Sequence, residues 1–208
     1  MFRDRNHAGE LLAGLLADYR SCAGAVILAL PRGGVPVAAA VARALALPLD
    51  VLLVHKIGAP HEPELAVGAV APNGLVVLDE KTIARMQISR ASLESAIAAE
   101  REELARRERL YRGGRLPLAL EGLTAILVDD GLATGYTMLA AVRAVRQLQA
   151  NRIVVAVPVA PQETLDRLKS EADEVVCVDI PRRLEAVGQF YADFSQISDE
   201  QVCAELAR

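Results

Sequence analysis

Short apolar runs recur along the chain and alternate with longer stretches that have helical spacing. The runs cover residues 24–30, 50–55, 75–79, 123–130, 152–159 and 174–180. Helix-forming stretches at 35–46, 136–149 and 161–172 separate several of them. Because buried strands that alternate with helices form βαβ units, the pattern predicts an α/β fold with a parallel sheet.

Two segments outside this rhythm also predict helices. Leu and Tyr residues between positions 11 and 19 recur at helical spacing, so the first segment is expected to pack on the core as an amphipathic helix. Residues 82–112 are charged and repeatedly place Glu four positions before Arg. This second helix is interpreted as a surface element, with a lid support or a dimer contact as alternatives. Gly113 and Gly114 predict its end and a hinge.

Composition narrows the classes of function. The 208 residues fit a single domain, 1–208, in which 52% of residues are hydrophobic and only 3% are aromatic. This favours a Val- and Leu-rich sheet under helices over a stacking platform for single-stranded nucleic acid. The net charge of −4, from 23 basic and 27 acidic residues, gives no cationic field for nucleic acid or anionic lipid. A phosphate-bearing ligand would therefore need a local site.

Cysteine usage and hydropathy predict the compartment. Cys22, Cys177 and Cys203 are odd in number and widely spaced, which argues against a disulfide framework and against a zinc cluster. The first segment is charged, and no apolar run approaches the roughly 18 residues needed to span a bilayer. We expect a soluble cytoplasmic protein that has no membrane partner.

The string ILVDDGLATGYTM, residues 126–138, ends a predicted strand with two acids. Asp129 and Asp130 precede a turn that contains Gly131 and Gly135, and a helix is expected to begin near Tyr136. Amides at a helix start bind phosphate, whereas the acids suit sugar hydroxyls or magnesium. Two alternatives stay open. In one the acids simply end a strand, and in the other the domain is of the receiver type. In a receiver domain such acids normally stand near the start, whereas here more than half of the chain precedes them.

The string LPRGG, residues 30–34, ends the first predicted strand in a similar way. Gly33 and Gly34 permit close backbone approach to an anion, and Arg32 offers a planar fork of donors to phosphate oxygens. A glycine turn beside a solvated arginine is the alternative. The G-x-G-x-x-G spacing of a dinucleotide site is absent.

Lys56 follows His55 at the end of the predicted strand 50–55. A lysine at this place can neutralise a departing phosphate, although exposed lysines at strand ends are common. The three histidines have neither i, i+4 pairing nor a cysteine partner, so metal ligation by side-chain nitrogen is not expected.

Together these strings resemble the type I phosphoribosyltransferase family. ILVDDGLATGYTM matches the family's signature for phosphoribosyl pyrophosphate (PRPP), and LPRGG resembles its pyrophosphate loop. The resemblance covers residues 20–180, and the FRDR string near the start is similar to that of an uncharacterised bacterial branch. It implies a doubly wound, mostly parallel sheet with a small hood. The C-terminal part would form the hood, and the N-terminal segment is a candidate for a second part of it.

The resemblance also implies a role for each matching residue. Asp129 and Asp130 would bind the ribose hydroxyls, directly or through Mg²⁺, and Arg32 and Lys56 would join them in catalysis. Pyrophosphate would be bound by four residues: Arg32, Gly33, Gly34 and Lys56. The 5-phosphate would be wrapped by five residues: Ala133, Thr134, Gly135, Tyr136 and Thr137.

The implied reaction transfers the 5-phosphoribosyl group from PRPP to a nitrogenous base, with Mg²⁺ as cofactor and pyrophosphate as the leaving group. A mobile loop would close the site against water, and the candidates are residues 59–72 and the hinge at 113–114. A non-catalytic PRPP sensor is the alternative function, although such regulators generally carry a nucleic-acid-binding element or a basic surface. The family often forms homodimers, for which the 82–112 helix offers a surface.

The acceptor base stays open. In the branch of the family that acts on 6-oxopurines an Asp precedes T-G, whereas this chain has Ala133, so hypoxanthine or guanine is not the expected acceptor. Phe190, Tyr191 and Phe194 are interpreted as core packing in the hood, with stacking on the acceptor as the alternative. The APQET loop, residues 160–164, is a second candidate edge of the base site.

Overall fold

The computed structural model describes residues 1–60, 62–71, 74–113, 116 and 118–207. Within these ranges the strands are β1 (Ala25–Ala29), β2 (Leu49–Val51), β3 (His55–Ala59), β4 (Glu62–Val70), β5 (Val76–Leu78), β6 (Thr124–Val128), β7 (Arg152–Val159) and β8 (Glu174–Asp179). The helices are α1 (Arg5–Leu15), α2 (Gly34–Leu45), α3 (Glu80–Arg85), α4 (Arg90–Arg112), α5 (Tyr136–Gln147), α6 (Gln162–Lys169) and α7 (Asp199–Leu206). Short 3₁₀ helices cover Ala17–Tyr19 and Val187–Phe190.

The main sheet is parallel, with the strand order β2-β1-β6-β7-β8. β1 and β6 lie side by side, so that Ala25 pairs with Thr124 and Ala29 with Val128. The chain passes from β1 to β2 on one side and from β6 to β7 on the other. The strand order therefore reverses between β1 and β6, and the carboxyl ends of these two strands form the switch point at which α/β sheets bind ligands.

The parallel sheet separates two hydrophobic cores because successive side chains of each strand face opposite sides. Ile27 and Ile126 belong to the core that includes residues of α1, α2 and α7. Leu28 and Leu127 belong to the core that includes residues of α5 and α6. The doubly wound, mostly parallel sheet implied by the family resemblance is confirmed.

A separate antiparallel sheet, in the order β3-β4-β5, corrects several expectations. The run at 75–79 forms β5 of this sheet and not a strand of the parallel one. His55 and Lys56 begin β3 and do not end a strand, because β2 stops at Val51. The segment 59–72, a candidate mobile loop, contains β4, in which one glycine, two alanines and two glutamates among nine residues leave no long apolar run. Residues 61 and 72 of that segment lie outside the described residues.

The helix expected over 82–112 is interrupted between α3 and α4. α4 begins behind Ser89, whose hydroxyl oxygen accepts a hydrogen bond from the Ser92 amide at 3.1 Å. It ends where Gly113 adopts the left-handed conformation with φ of 56°. Gly113 is therefore the predicted helix stop, whereas Gly114 lies outside the described residues and the hinge stays a prediction.

We use the name hood for α1, residues 187–195 and α7, the parts of the chain that the family resemblance assigns to it. Phe2, just before α1, is held against the C-terminal part of the chain: its amide donates to the Phe190 carbonyl at 2.7 Å, and its carbonyl accepts from the Ala192 amide at 2.8 Å. The N-terminal segment is thus in contact with the C-terminal part, and the assignment of both to a hood stays a prediction. Across the ranges described, no helix has the length and apolar character needed to cross a membrane.

Candidate functional site

The two strings singled out in the sequence meet at the switch point of the parallel sheet. The Leu30 amide donates to the Val128 carbonyl at 2.9 Å, which continues the β1–β6 pairing into both loops. Residues 30–34 then lead into α2, and residues 129–135 lead into α5. Loops that are separated in sequence are thereby brought together at one edge of the sheet.

Gly33 and Gly34 allow this close contact between the loops. A Cβ atom on Gly33 would lie 2.1 Å from Asp130 Oδ2, and one on Gly34 would lie 2.8 Å from the Asp129 Cα atom. The absence of side chains is therefore required by packing against the acid pair, whether or not an anion binds there. The peptide bond between Pro31 and Arg32 is cis.

The two acids have different surroundings. Asp129 Oδ1 accepts a hydrogen bond from the Asp130 amide at 2.9 Å. Burial, reinforced by the neighbouring Asp130 carboxyl, raises the pKa of Asp129 well above its usual range. Burial also raises the pKa of Asp130, but Arg5 opposes this effect by charge and by hydrogen bonding.

Arg5 is a site residue that the sequence reasoning did not assign. Its Nε donates to Asp130 Oδ2 at 2.8 Å, and its Nη2 lies at the same distance from that oxygen. From the hood, the Tyr191 hydroxyl also donates to the Asp130 carbonyl at 2.6 Å. Arg5 is the last residue of the FRDR string, which resembles that of a bacterial branch of the family. This string is the sequence feature that could have pointed to Arg5.

Residues 133–137, which are expected to hold the 5-phosphate, are called the phosphate loop. This loop is exposed at Ala133 and Thr134 and half-buried from Gly135 to Thr137. Gly135 has a φ of 71° and precedes the first turn of α5, where main-chain amides and the positive end of the helix dipole can bind an anion. This conformation favours glycine, and a Cβ there would lie 2.5 Å from Thr164 Cγ2.

Helix α6 supports the back of this loop. The Thr164 hydroxyl donates to the Ala133 carbonyl at 2.7 Å, and Arg167 Nη1 donates to the Thr134 carbonyl at 3.1 Å. The Arg167 guanidinium also lies 5.1 Å from the centre of the Tyr136 ring. Thr164 ends the APQET string, so the structure gives this string a contact with the phosphate loop; its role as an edge of the base site stays a prediction.

Arg32 points towards the C-terminal helix. Its Nη1 lies 3.9 Å from Asp199 Oδ1, and the same oxygen accepts a hydrogen bond from the Tyr111 hydroxyl at 2.5 Å. Burial, together with the Asp199 contact, raises the pKa of Tyr111 to about 12. The weak ion pair of Arg32 is compatible with a change of partner when an anion binds.

Lys56 lies in a cleft of about 610 Å³ that Thr137 also lines. Arg107 of α4 contributes a second cation to this cleft, while His55 Nδ1 lies 3.0 Å from Glu100 Oε2. The cleft lining does not include residues 32–34. The structure thus brings Lys56 beside Thr137 of the phosphate loop, and the lining of this one cleft, as far as the described residues give it, does not extend to Arg32.

The acid pair fits a magnesium ion only as part of a larger set of ligands. Among the described residues, no group of three acid, histidine or cysteine side chains is suitable for a metal ion. Asp130 Oδ2 already accepts from Arg5, and Asp129 Oδ1 accepts from a main-chain amide. One oxygen of each carboxyl is left for an ion that ligand oxygens and water would complete, which is the usual coordination of Mg²⁺.

Comparisons with known proteins agree on one family. The family profile described as a phosphoribosyl transferase domain matches residues 6–194. The crystal structure of TT1426 from Thermus thermophilus has a TM-score of 0.89 at 47% identity, covering 99% of this chain and 97% of that one. A purine phosphoribosyltransferase from Pyrococcus horikoshii has a TM-score of 0.51 at 18% identity, over 93% of this chain and 92% of that one, and shares the fold.

Curated relatives are longer than this chain. A Mycobacterium tuberculosis protein with the provisional name phosphoribosyl transferase is 44% identical over all 208 residues, which make up 47% of its own length. The chain therefore spans about half the length of the curated relatives it matches.

Proposed function

Because this chain belongs to the phosphoribosyl transferase domain family, we propose that it transfers the 5-phosphoribosyl group from PRPP to a nitrogenous base or a related acceptor and releases pyrophosphate. The observation that carries the proposal is the contact between the two loops. Gly33 lies against the Asp130 carboxyl, so the acid that we propose for sugar binding and the loop that we propose for pyrophosphate binding share one edge of the sheet. A donor with phosphate at one end and pyrophosphate at the other matches this arrangement.

Each part of the donor has a candidate partner. Asp129 and Asp130 would accept hydrogen bonds from the ribose hydroxyls, and residues 133–137 would donate main-chain amides to the 5-phosphate. Arg32 would exchange its weak contact with Asp199 for the pyrophosphate oxygens. A guanidinium fork suits that task because it forms paired hydrogen bonds with phosphate.

The reaction needs charge stabilisation more than covalent chemistry by the protein. As the bond between the anomeric carbon and pyrophosphate breaks, negative charge develops on the leaving group and positive charge on the ribose ring. Arg32 would stabilise the first, and the carboxylates of the acid pair would stabilise the second. A magnesium ion held between the acid pair and the ligand would supply further positive charge to the pyrophosphate.

The choice of acceptor base is limited because the phosphate loop has Ala133 where the 6-oxopurine branch has an Asp. Ala133 is exposed and has no side chain that can form hydrogen bonds with a base. A 6-oxopurine is therefore not the proposed acceptor. Phe194 is partly exposed, with 36% of its surface accessible, while Tyr191 is buried at 5%. Tyr191 thus packs in the core as expected, whereas Phe190 is half-buried and Phe194 is partly exposed. Phe190 and Phe194 are therefore the candidates among these three for contact with an acceptor.

Pyrophosphate release tests the proposal. The protein is incubated with PRPP and Mg²⁺ and with a panel of purines, pyrimidines and smaller nitrogen compounds, and pyrophosphate is measured with a coupled phosphatase. We expect release that depends on one class of acceptor and on Mg²⁺. The Arg32→Ala variant tests the role of the pyrophosphate loop. It should lose affinity for pyrophosphate, while its affinity for ribose 5-phosphate should change little.

A PRPP sensor is the competing function. Tight binding of PRPP without pyrophosphate release over the whole panel would favour the sensor. Absence of PRPP binding to the folded protein would contradict both functions. The net charge of −4 favours the enzyme, because regulators in this family generally carry a basic surface or a nucleic-acid-binding element.

A further inference from the structure

Arg5 is a buried cation that the proposed reaction does not use. Only 8% of its surface is accessible, although it lies near the start of the described chain. Its ion pair with Asp130 joins positions 125 residues apart in sequence. Burying a charged side chain costs solvation free energy, which an ion pair with good geometry must offset. The position of Arg5 beside Asp130 therefore requires an explanation.

The guanidinium of Arg5 has several well-defined contacts. Nε and Nη2 are each 2.8 Å from Asp130 Oδ2, and Nη1 donates to the Ser195 carbonyl at 2.8 Å. The Phe194 ring covers one face of the group, with 3.9 Å from the guanidinium carbon to the ring centre. The planar fork is thus fixed on three sides, which leaves it little freedom to seek another ligand.

The backbone around Arg5 is also fixed. Asp4 caps α1 by accepting a hydrogen bond from the His7 amide at 2.8 Å. The preceding residues are joined to the C-terminal part of the hood, since the Asp193 amide donates to the Arg3 carbonyl at 2.9 Å. These contacts hold the Arg5 side chain over the switch point before any ligand arrives.

We propose that Arg5 is a positioning residue: from the hood it holds Asp130 Oδ2, so that the other carboxyl oxygen is presented to the ribose hydroxyls of the donor. This inference rests on the proposed function and adds the N-terminal segment to the donor site. Asp130 Oδ1 accepts no hydrogen bond from any other residue in the described ranges. The ligand would bind this oxygen, and Arg5 would act only through Asp130.

Arginine at this position has a specific advantage over lysine. A lysine ammonium lacks the planar fork that reaches Asp130 and the Ser195 carbonyl at once, and it stacks less well on the Phe194 ring. We therefore expect Arg5→Lys to keep the charge and lose part of the alignment. Donor affinity should fall in the order wild type, Arg5→Lys, Arg5→Gln.

A double-mutant cycle on donor binding tests the proposal. Dissociation constants for PRPP with Mg²⁺ are measured by calorimetry for the wild type, Arg5→Gln, Asp130→Asn and the double variant. We expect Arg5→Gln to weaken binding about tenfold and the double variant to bind no more weakly than Asp130→Asn alone. Losses that multiply in the double variant, or an Arg5→Gln variant with wild-type affinity, would overturn the proposal.

The control arms separate alignment from loss of structure. Arg3→Gln changes a nearby arginine whose side chain is 75% exposed, and it should leave PRPP affinity unchanged. Arg5→Gln should keep its affinity for pyrophosphate alone, whereas an equal loss for PRPP and pyrophosphate would point to a purely structural role. If Arg5→Gln does not fold, Arg5→Lys is used in the same cycle. A folded wild type that binds no PRPP would instead reject the proposed function.

Discussion

Gly33 is the residue at which packing and function are most closely joined. Its backbone lies in the ordinary right-handed helical region, with φ of −58° and ψ of −37°, so alanine is allowed there by conformation alone. The obstacle is the Asp130 carboxyl, whose Oδ2 lies 2.1 Å from the position that an alanine Cβ would take. We expect Gly33→Ala to lower the free energy of unfolding by about 1–3 kcal/mol and to weaken PRPP binding. Urea denaturation and calorimetry measure the two effects.

Gly14→Ala is the matched control for that substitution. Gly14 lies in α1, and a Cβ there would meet no atom within 4 Å. The variant should be more stable than the wild type by about 0.5–1 kcal/mol, because alanine favours a helix over glycine. Equal effects of the two variants would show that the contact between Gly33 and Asp130 does not restrict the site.

Asp129 should make the stability of the protein depend on pH. Its pKa is raised in the folded state, so the folded protein binds its proton more tightly than the unfolded chain, and stability falls as pH rises through this range. Asp129→Asn removes that titration. Without metal, in EDTA, the variant should gain stability over the wild type by about 1.4 kcal/mol per pH unit above pH 4, until the raised pKa is passed. Urea denaturation at several pH values measures the difference.

Asp166 gives the opposite slope and serves as the control. Hydrogen bonds from Gln162 and Lys169 lower its pKa, so its contribution to stability is present above the pKa of the unfolded chain and is lost as pH falls. Asp166→Asn should therefore lose stability relative to the wild type as pH rises. The same sign of slope for Asp129→Asn and Asp166→Asn would contradict the burial of the Asp129 carboxyl.

At the residue scale, the sequence predicted site residues that lie close together in a short motif. It did not predict those that reach the site from distant parts of the chain. Asp129, Asp130 and Gly33 belong to loops whose composition points to ligand binding. Arg5 and Asp199 reach these loops from α1 and α7 through tertiary contacts. No spacing rule relates such positions, because their separation in sequence does not reflect a local geometry.

At the scale of elements, α6 supports the phosphate loop through one hydroxyl. Thr164→Val keeps the shape of the side chain and removes the hydrogen bond to the Ala133 carbonyl. We expect it to lower the free energy of unfolding by about 1 kcal/mol and to weaken the binding of ribose 5-phosphate several-fold. Thr164→Ser keeps the hydroxyl and should bind nearly as the wild type does. If calorimetry shows the same loss for both variants, the hydrogen bond is not what supports the loop.

Elements with a strong pattern were predictable, and the antiparallel sheet was not. β1, β6 and β7 are largely buried and rich in Val, Ile, Leu and Ala, and β8 is half-buried and rich in Val, so each of these strands appears as an apolar run. β4 mixes Gly68 and alanines with few large side chains, and a Cβ on Gly68 would lie 2.5 Å from the Val77 carbonyl oxygen. Its place in the sheet is set by this close approach to β5, which an apolar pattern does not reveal.

For the whole molecule, the hood and the parallel sheet should unfold together. Leu12 of α1 and Val202 of α7 are fully buried in the same core as Ile27 and Ile126 of the sheet. Because the chain has no tryptophan, its intrinsic fluorescence comes mainly from tyrosines, and Tyr191 reports on the hood. Far-ultraviolet circular dichroism reports on the helices. We expect one urea transition with the same midpoint for both probes. Two separated midpoints would show that the hood unfolds independently.

The pairing of β1 with β6 also has a kinetic consequence. Ala25 must find Thr124, far along the chain, before the two loops can meet. Contacts between residues so distant in sequence form slowly, because a large loop of chain must close first. Recovery of PRPP binding during refolding should therefore lag behind helix formation. The first binding of PRPP, the proposed donor, would then report that the central strand pair is complete.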